Sequence, residues 1–80
     1  MSVPLTVYSR GGCVQCTATI RALDKAAIAY NVVDVDTDPA ALEHVKELGF
    51  RQAPVVEGAG EPWSGFRPDR IGELGAAVAS

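Results

Sequence analysis

The chain has 80 residues, 48% of them hydrophobic and 21% charged, with a formal charge of −3 at pH 7. That length allows one domain, residues 1–80, near the size at which a hydrophobic core is barely sufficient, and the composition argues against disorder. The Lys and Arg residues are scattered instead of massed in a stripe, which argues against a nucleic-acid partner. No apolar run reaches the roughly 18 residues of a membrane span and Met1–Pro4 has no basic leader, so a cytoplasmic protein is expected.

Pro4 to Ser9, with Leu5, Val7 and Tyr8, reads as a short strand ended by Arg10-Gly11-Gly12. The period then changes: Cys16, Ile20, Leu23 and Ala27 fall on one helical face, with Cys13 at the helix start and Cys16 one turn inside. Tyr30 to Val35, rich in valine, reads as a buried parallel strand. Asp38 then serves as a cap and Pro39 as the first helical residue; Leu42, Val45 and Leu48 supply an apolar stripe, and Gly49 ends the helix. His44 lies off that stripe and is expected as a solvated surface residue.

Ala53 to Glu57 and Glu61 to Gly65, around Gly58-Ala59-Gly60, read as a β-hairpin, and Pro68 opens a last helix carrying Ile71, Leu74 and Val78. The predicted order is βαβαββα. Asp34 to Asp38 resembles the start of a calcium loop, but Pro39 stands where such a loop needs Gly and Val45 where it needs Glu. A strand end followed by a helix cap accounts for the aspartates.

Cys13-Val14-Gln15-Cys16 holds the only two cysteines, and in a reducing compartment such a pair is catalytic or metal-binding more often than structural. Half of a metal site fails on ligand number, since His44 is the only histidine and no second Cys-x-x-Cys exists. Disulfide exchange fits better. Only a thiolate attacks a disulfide, and a helix N-terminus, helped by the charge of Arg10, favours the thiolate of Cys13. Cys13 is therefore the expected nucleophile, and Cys16, on the core-facing stripe, the resolving thiol. In such a fold Pro54 is expected to follow a cis bond from Ala53, turning the adjacent backbone toward the sulfurs, where an extended peptide can pair with it.

With Cys-Val-Gln-Cys near its start, Pro54-Val55-Val56, and the segment Trp63-Ser64-Gly65-Phe66-Arg67-Pro68-Asp69, the chain closely resembles the NrdH-redoxins over essentially its whole length. The resemblance implies a thioredoxin fold, here a four-stranded mixed sheet flanked by three helices; a monomer is expected. It also implies a redox-active Cys13–Cys16 disulfide with no bound cofactor. Electrons are expected from NADPH through thioredoxin reductase, and their destination is the large subunit of a class Ib ribonucleotide reductase. Arg10, Val14, Gln15, Ala53, Pro54 and the segment from Trp63 to Asp69 are expected to support the site or dock partners.

The resemblance to the wider glutaredoxin superfamily is informative where this chain departs from it. Glutaredoxins usually carry Cys-Pro-Tyr-Cys, Thr-Val-Pro and a Gly-Gly-x-x-Asp motif that grips glutathione. Val14-Gln15, Gln52-Ala53 and Ser64 to Asp69 stand in their places here. Phe66 adds bulk and Pro68 removes an amide donor, so glutathione is expected to be a poor reductant. Trp63 and Phe66 fit either core aromatics or a docking surface, and Arg67 fits a simple surface ion pair equally well. A glutathione- or mycothiol-dependent redoxin and a redox-gated binding module are the competing functions.

Overall fold

Seven elements run in the expected order in the computed structural model, which describes residues 5–58 and 61–79: β1 (Leu5–Ser9), α1 (Val14–Lys25), β2 (Tyr30–Asp34), α2 (Pro39–Glu47), β3 (Val55–Glu57), β4 (Trp63–Ser64) and α3 (Pro68–Ala79). Pro4, Ala59 and Gly60 of the expected hairpin turn, and the side chain of Val78 lie outside the described residues. The sheet is four-stranded, in the order β2-β1-β3-β4. β1 runs parallel to β2 with Val7 opposite Val32, and antiparallel to β3 with Val7 opposite Val56; β4 returns along β3 with Trp63 opposite Val56.

Alternation along the central strands divides the core between the two faces of the sheet. Leu5 and Val7 of β1 and Val56 of β3 join Leu23, Ile28, Trp63 and Ile71 in one cluster beneath α1 and α3. Those two helices pack closely: a Cβ on Gly75 of α3 would sit 3.4 Å from that of Ala26. Tyr8 and Val55 point the other way, toward α2, whose buried residues are Ala41 and Val45.

Both long connections are set by local chemistry. Asp38 caps α2 by accepting the amide of Ala41 at 3.1 Å, and Pro39 fills the first helical position, where a missing N–H costs nothing. Gly49, at φ +91°, ends that helix, with its amide on Lys46 O and that of Phe50 on Val45 O. α1 closes in the same way with a less suitable residue. Ala27 takes φ +58°, its amide donates to Asp24 O at 3.1 Å, and Ile28 donates to Leu23 O at 3.0 Å.

Four expectations need correction. Ala27 is not on the buried face of α1, because the helix has ended and the residue is exposed; Ile28 takes its place in the core. β2 is parallel as expected but not buried. It is an edge strand, and Val32 is 48% exposed, so the run of valines reflects β propensity and not burial on both faces. On α2 the buried stripe runs through Ala41 and Val45, while Leu42 faces solvent. His44 is half-exposed but engaged: Nε2 lies 2.9 and 3.0 Å from the two carboxylate oxygens of Glu57, which also accepts the Tyr8 hydroxyl at 3.1 Å. Because β3 carries Glu57 opposite Thr6 on the face that α2 covers, this cluster ties α2 to the sheet.

Candidate active site

The site forms where the C-terminal end of β1, the start of α1 and the segments flanking β3 and β4 meet. Gly11 and Gly12 carry the chain from the strand to the helix, with Gly12 at φ +69° and the Gly11 amide held by Asp36 at 3.1 Å. Cys13 then takes an extended conformation and becomes the N-cap of α1. Its Sγ accepts the amide of Cys16 at 3.1 Å, and its carbonyl oxygen accepts the amide of Thr17 at 3.2 Å. A sulfur in the position normally held by a capping oxygen receives a donor that the helix cannot otherwise use, and it meets the positive end of the helix dipole. Both effects favour the thiolate once the pair is reduced.

Cys13 and Cys16 are joined as a disulfide, with Cα atoms 5.2 Å apart. Cys13 is partly exposed, whereas Cys16 is 3% exposed and faces the core. Cys13 is thus the accessible member of the pair, and Cys16 the enclosed one. An open cleft of about 390 Å³ lined by Ser9, Arg10, Gly12, Cys13 and Thr17 leads to the accessible sulfur. Arg10 is exposed on its rim and also borders Ala53 on the other side. Val14, the first residue of α1, is 83% exposed beside the disulfide.

Ala53-Pro54 is a cis peptide, as the sequence reading expects. Pro54 is buried, and the carbonyl oxygen of Ala53 lies 3.7 Å from Cys13 Sγ. Neither atom carries a proton in the disulfide, so this contact becomes a hydrogen bond only when Cys13 is a thiol. Pro54 O accepts the amide of Gly65 at 2.8 Å, which draws the segment after β4 against the same site.

Within that segment the two aromatic side chains part company. Trp63 is 4% exposed and belongs to the core, so it supports the site from beneath and offers no contact surface to a partner. Arg70 covers its outer face, 5.0 Å from the ring centroid, and donates to Glu61 O. The indole Nε1 is buried without an acceptor among the described residues. Phe66, by contrast, is 37% exposed. Ser64 pairs with Val55 in the sheet, and Gly65 turns the chain at φ +85°. Arg67 and Asp69 form a two-bond pair at 3.2 and 3.1 Å, so Arg67 is an exposed ion pair at the start of α3. The Arg67 hydrogen bond holds the Asp69 carboxyl below its ordinary value.

Two features of the site escaped the sequence reading. Gln15 Oε1 accepts the amide of Phe66 at 3.2 Å, a link across 51 residues that no local pattern announces. Thr19, fully buried on the inner face of α1, donates its hydroxyl to Gln15 O at 2.9 Å. The i, i+4 spacing to Gln15 is the signal that could have found it. Among the described residues no three His, Cys, Asp or Glu side chains gather in a metal-binding group. No helix among them is long and apolar enough to cross a membrane.

The glutaredoxin family model matches residues 5–63. The glutaredoxin-like protein NrdH of Escherichia coli (strain K12) is 46% identical over 70 residues, 88% of this chain and 86% of that protein. NrdH of Lactococcus lactis subsp. cremoris is 40% identical over 88% of this chain and 97% of its own length. The solved structure of the NrdH-redoxin from Escherichia coli, a glutaredoxin-like protein studied for its thioredoxin-like activity profile, superposes with a TM-score of 0.85 at 44% identity, covering 90% of this chain and 95% of that one. A buckwheat glutaredoxin in complex with glutathione shares the fold, with a TM-score of 0.71 at 22% identity over 95% of this chain and 74% of that one. With its thioredoxin-like fold and its redox-active Cys13–Cys16 pair, the chain belongs to the glutaredoxin family as one of the NrdH thiol-disulfide oxidoreductases.

Proposed function

We propose that this single domain of 80 residues is a monomeric cytoplasmic dithiol carrier that takes electrons from NADPH through thioredoxin reductase and delivers them to a class Ib ribonucleotide reductase. The Cys13 thiolate attacks the oxidised partner's disulfide, forming one mixed S–S bond as a partner thiolate leaves. Cys16 gives up its proton and attacks Cys13 Sγ; the second partner thiolate leaves, and the carrier is now the disulfide. Two electrons have passed to the partner. The dithiol of the reductase reverses the sequence.

The observation that carries the choice of reductase is the state of the donors at the start of α3. Phe66 N–H is already given to Gln15, and Pro68 has none, so this loop offers little to a small thiol's carboxylate. It offers instead the partly exposed Phe66 ring, on the loop tied to Gln15 of the redox turn, a contact suited to a protein surface. Arg10, Val14, Gln15, Ala53, Ser64, Gly65, Arg67, Pro68 and Asp69 complete the docking face, with the buried Pro54 and Trp63 supporting it from within.

NADPH consumption with thioredoxin reductase and a disulfide acceptor, repeated with glutathione and glutathione reductase, tests the reading. Turnover is expected in the first arm; efficient turnover in the glutathione arm alone would sink it. Deoxyribonucleotide formation by a class Ib ribonucleotide reductase, with this protein as the only dithiol, tests the delivery step.

A further inference from the structure

Gln15 stands between the two cysteines, and its two carbonyl groups serve different neighbours. The backbone oxygen takes the hydroxyl of buried Thr19 at 2.9 Å, which fixes the residue in the first turn of α1. The side-chain Oε1 leaves the helix and accepts the Phe66 amide at 3.2 Å. It lies over Gly65, where a Cβ would come within 3.4 Å of it, at the edge of ordinary contact.

Gly65 in turn gives its amide to Pro54 O at 2.8 Å, and the Ala53 carbonyl oxygen faces Cys13 Sγ at 3.7 Å. Three segments remote in sequence thus close a circuit around the disulfide: the redox turn, the segment at Pro54, and the loop that presents Phe66. Two consecutive amides, Gly65 and Phe66, are each held by a different segment, and that fixes the backbone from which the exposed ring projects. The capping of Cys13 Sγ by the Cys16 amide does not depend on this circuit. The Gln15 link therefore bears on where Phe66 stands relative to Cys13, and not on the sulfur chemistry.

We propose that Gln15 is a positioning residue for partner recognition, whose Oε1 holds the Phe66 loop in register with Cys13 so that a protein reductase meets the thiol and the aromatic contact as one rigid surface. This rests on the reading above that the reductase is a protein. A loop ordered in advance binds with a smaller entropy loss than one ordered on docking. The chemistry also accounts for an amide at this position. A glutamate would accept from Phe66 N–H as well, but its charge, two residues from Cys13, would oppose the thiolate. A leucine of similar length would accept nothing.

Gln15→Leu and Gln15→Glu separate these roles, with two readouts. The first is hydrogen exchange of the Phe66 amide by NMR, which needs no reductase. Gln15→Leu is expected to exchange about two- to tenfold faster than wild type, the ratio given by a hydrogen bond of ordinary net strength, whereas Gln15→Glu keeps the protection. The second is steady-state turnover with thioredoxin reductase, where Gln15→Leu raises KM by a similar factor of about two to ten and leaves kcat within about twofold. In Gln15→Glu the pH midpoint for alkylation of Cys13 moves upward, while in Gln15→Leu it stays in place.

A Gln15→Leu protein whose Phe66 amide exchanges like wild type would overturn the proposal, as would one that loses kcat at constant KM. Loss of Phe66 protection in Gln15→Glu would overturn the acceptor role. Wild-type protein that fails to turn over with thioredoxin reductase would refute the assigned reductase and, with it, the docking role; the Phe66 exchange arm still decides the Gln15 link by itself.

Discussion

Replacing Gly65 by alanine perturbs the loop that presents Phe66 without touching a sulfur. At φ +85° the backbone is in the left-handed region, where a Cβ costs about 1–2 kcal/mol. The new methyl also meets Gln15 Oε1 at 3.4 Å. That oxygen is the end of a flexible side chain, so it can yield, but yielding weakens its bond to Phe66 N–H, with a net worth of about 0.5–1.5 kcal/mol. Against these stands the smaller entropy of the unfolded alanine chain, which offsets about 0.4–1 kcal/mol. The balance is a net loss of about 1–2 kcal/mol. For a domain of this size each kcal/mol lowers Tm by about 4–8 °C, so a fall of roughly 5–15 °C is expected in a thermal melt of the oxidised protein followed by circular dichroism. Turnover with thioredoxin reductase should show a raised KM, while iodoacetamide still alkylates reduced Cys13 at the wild-type rate, because the Cys16 amide still caps the sulfur. A variant that melts within about 2 °C of wild type and keeps its KM would refute both the backbone and the docking argument.

Ala27, a left-handed residue that is not glycine, predicts the opposite sign. Ala27→Gly relieves the same conformational cost at the end of α1, and after the larger unfolded-state entropy of glycine is subtracted it should stabilise by about 0.5–1 kcal/mol in urea titration; a lower midpoint would contradict the helix-end assignment. Cys16→Ser should halt the exchange at a mixed disulfide through Cys13, visible by mass spectrometry as a covalent adduct with the oxidised ribonucleotide reductase, and a protein that still turns over at the wild-type rate would show that Cys16 does not resolve. Tyr8 contributes to the pH dependence at the alkaline end. Burial, followed by its hydrogen bond to Glu57 and the charges of Glu57 and Asp38, raises the phenol above its ordinary value of 10.0. Because the folded value lies above the unfolded one, the fold favours the neutral phenol; this stabilisation is complete below the unfolded value and disappears as pH rises through the folded one. Tyr8→Phe should therefore be less stable than wild type at pH 8 but lose stability less steeply above pH 10, and parallel urea midpoints across that range would argue against the Tyr8–Glu57 contact.

The order of elements, the helix caps and the unequal placement of the two cysteines were all legible in the sequence. Each of these is a local matter: Asp38-Pro39 and Gly49 act within one turn, and the spacing of Cys13 and Cys16 puts one sulfur at the cap and the other on the inner face. Trp63 to Asp69 was legible as a unit, and so was the place of Pro54 at the site. The misreadings lay where periodicity had to stand in for neighbours. Three valines near one another gave the same signal for a buried strand as for the exposed edge that β2 occupies, and only strand order decides between them. Leu42 and Ala41 are one residue apart on α2, and which of them is buried depends on the angle at which the helix meets the sheet. Tertiary structure alone sent Trp63 into the core and Phe66 to the surface, brought His44 to Glu57, and set Gln15 on the Phe66 amide. These contacts join segments brought together by the pairing of β1 with β3 and of β3 with β4. A side chain's own sequence neighbourhood contains no information about which donor from a distant strand will stand before it.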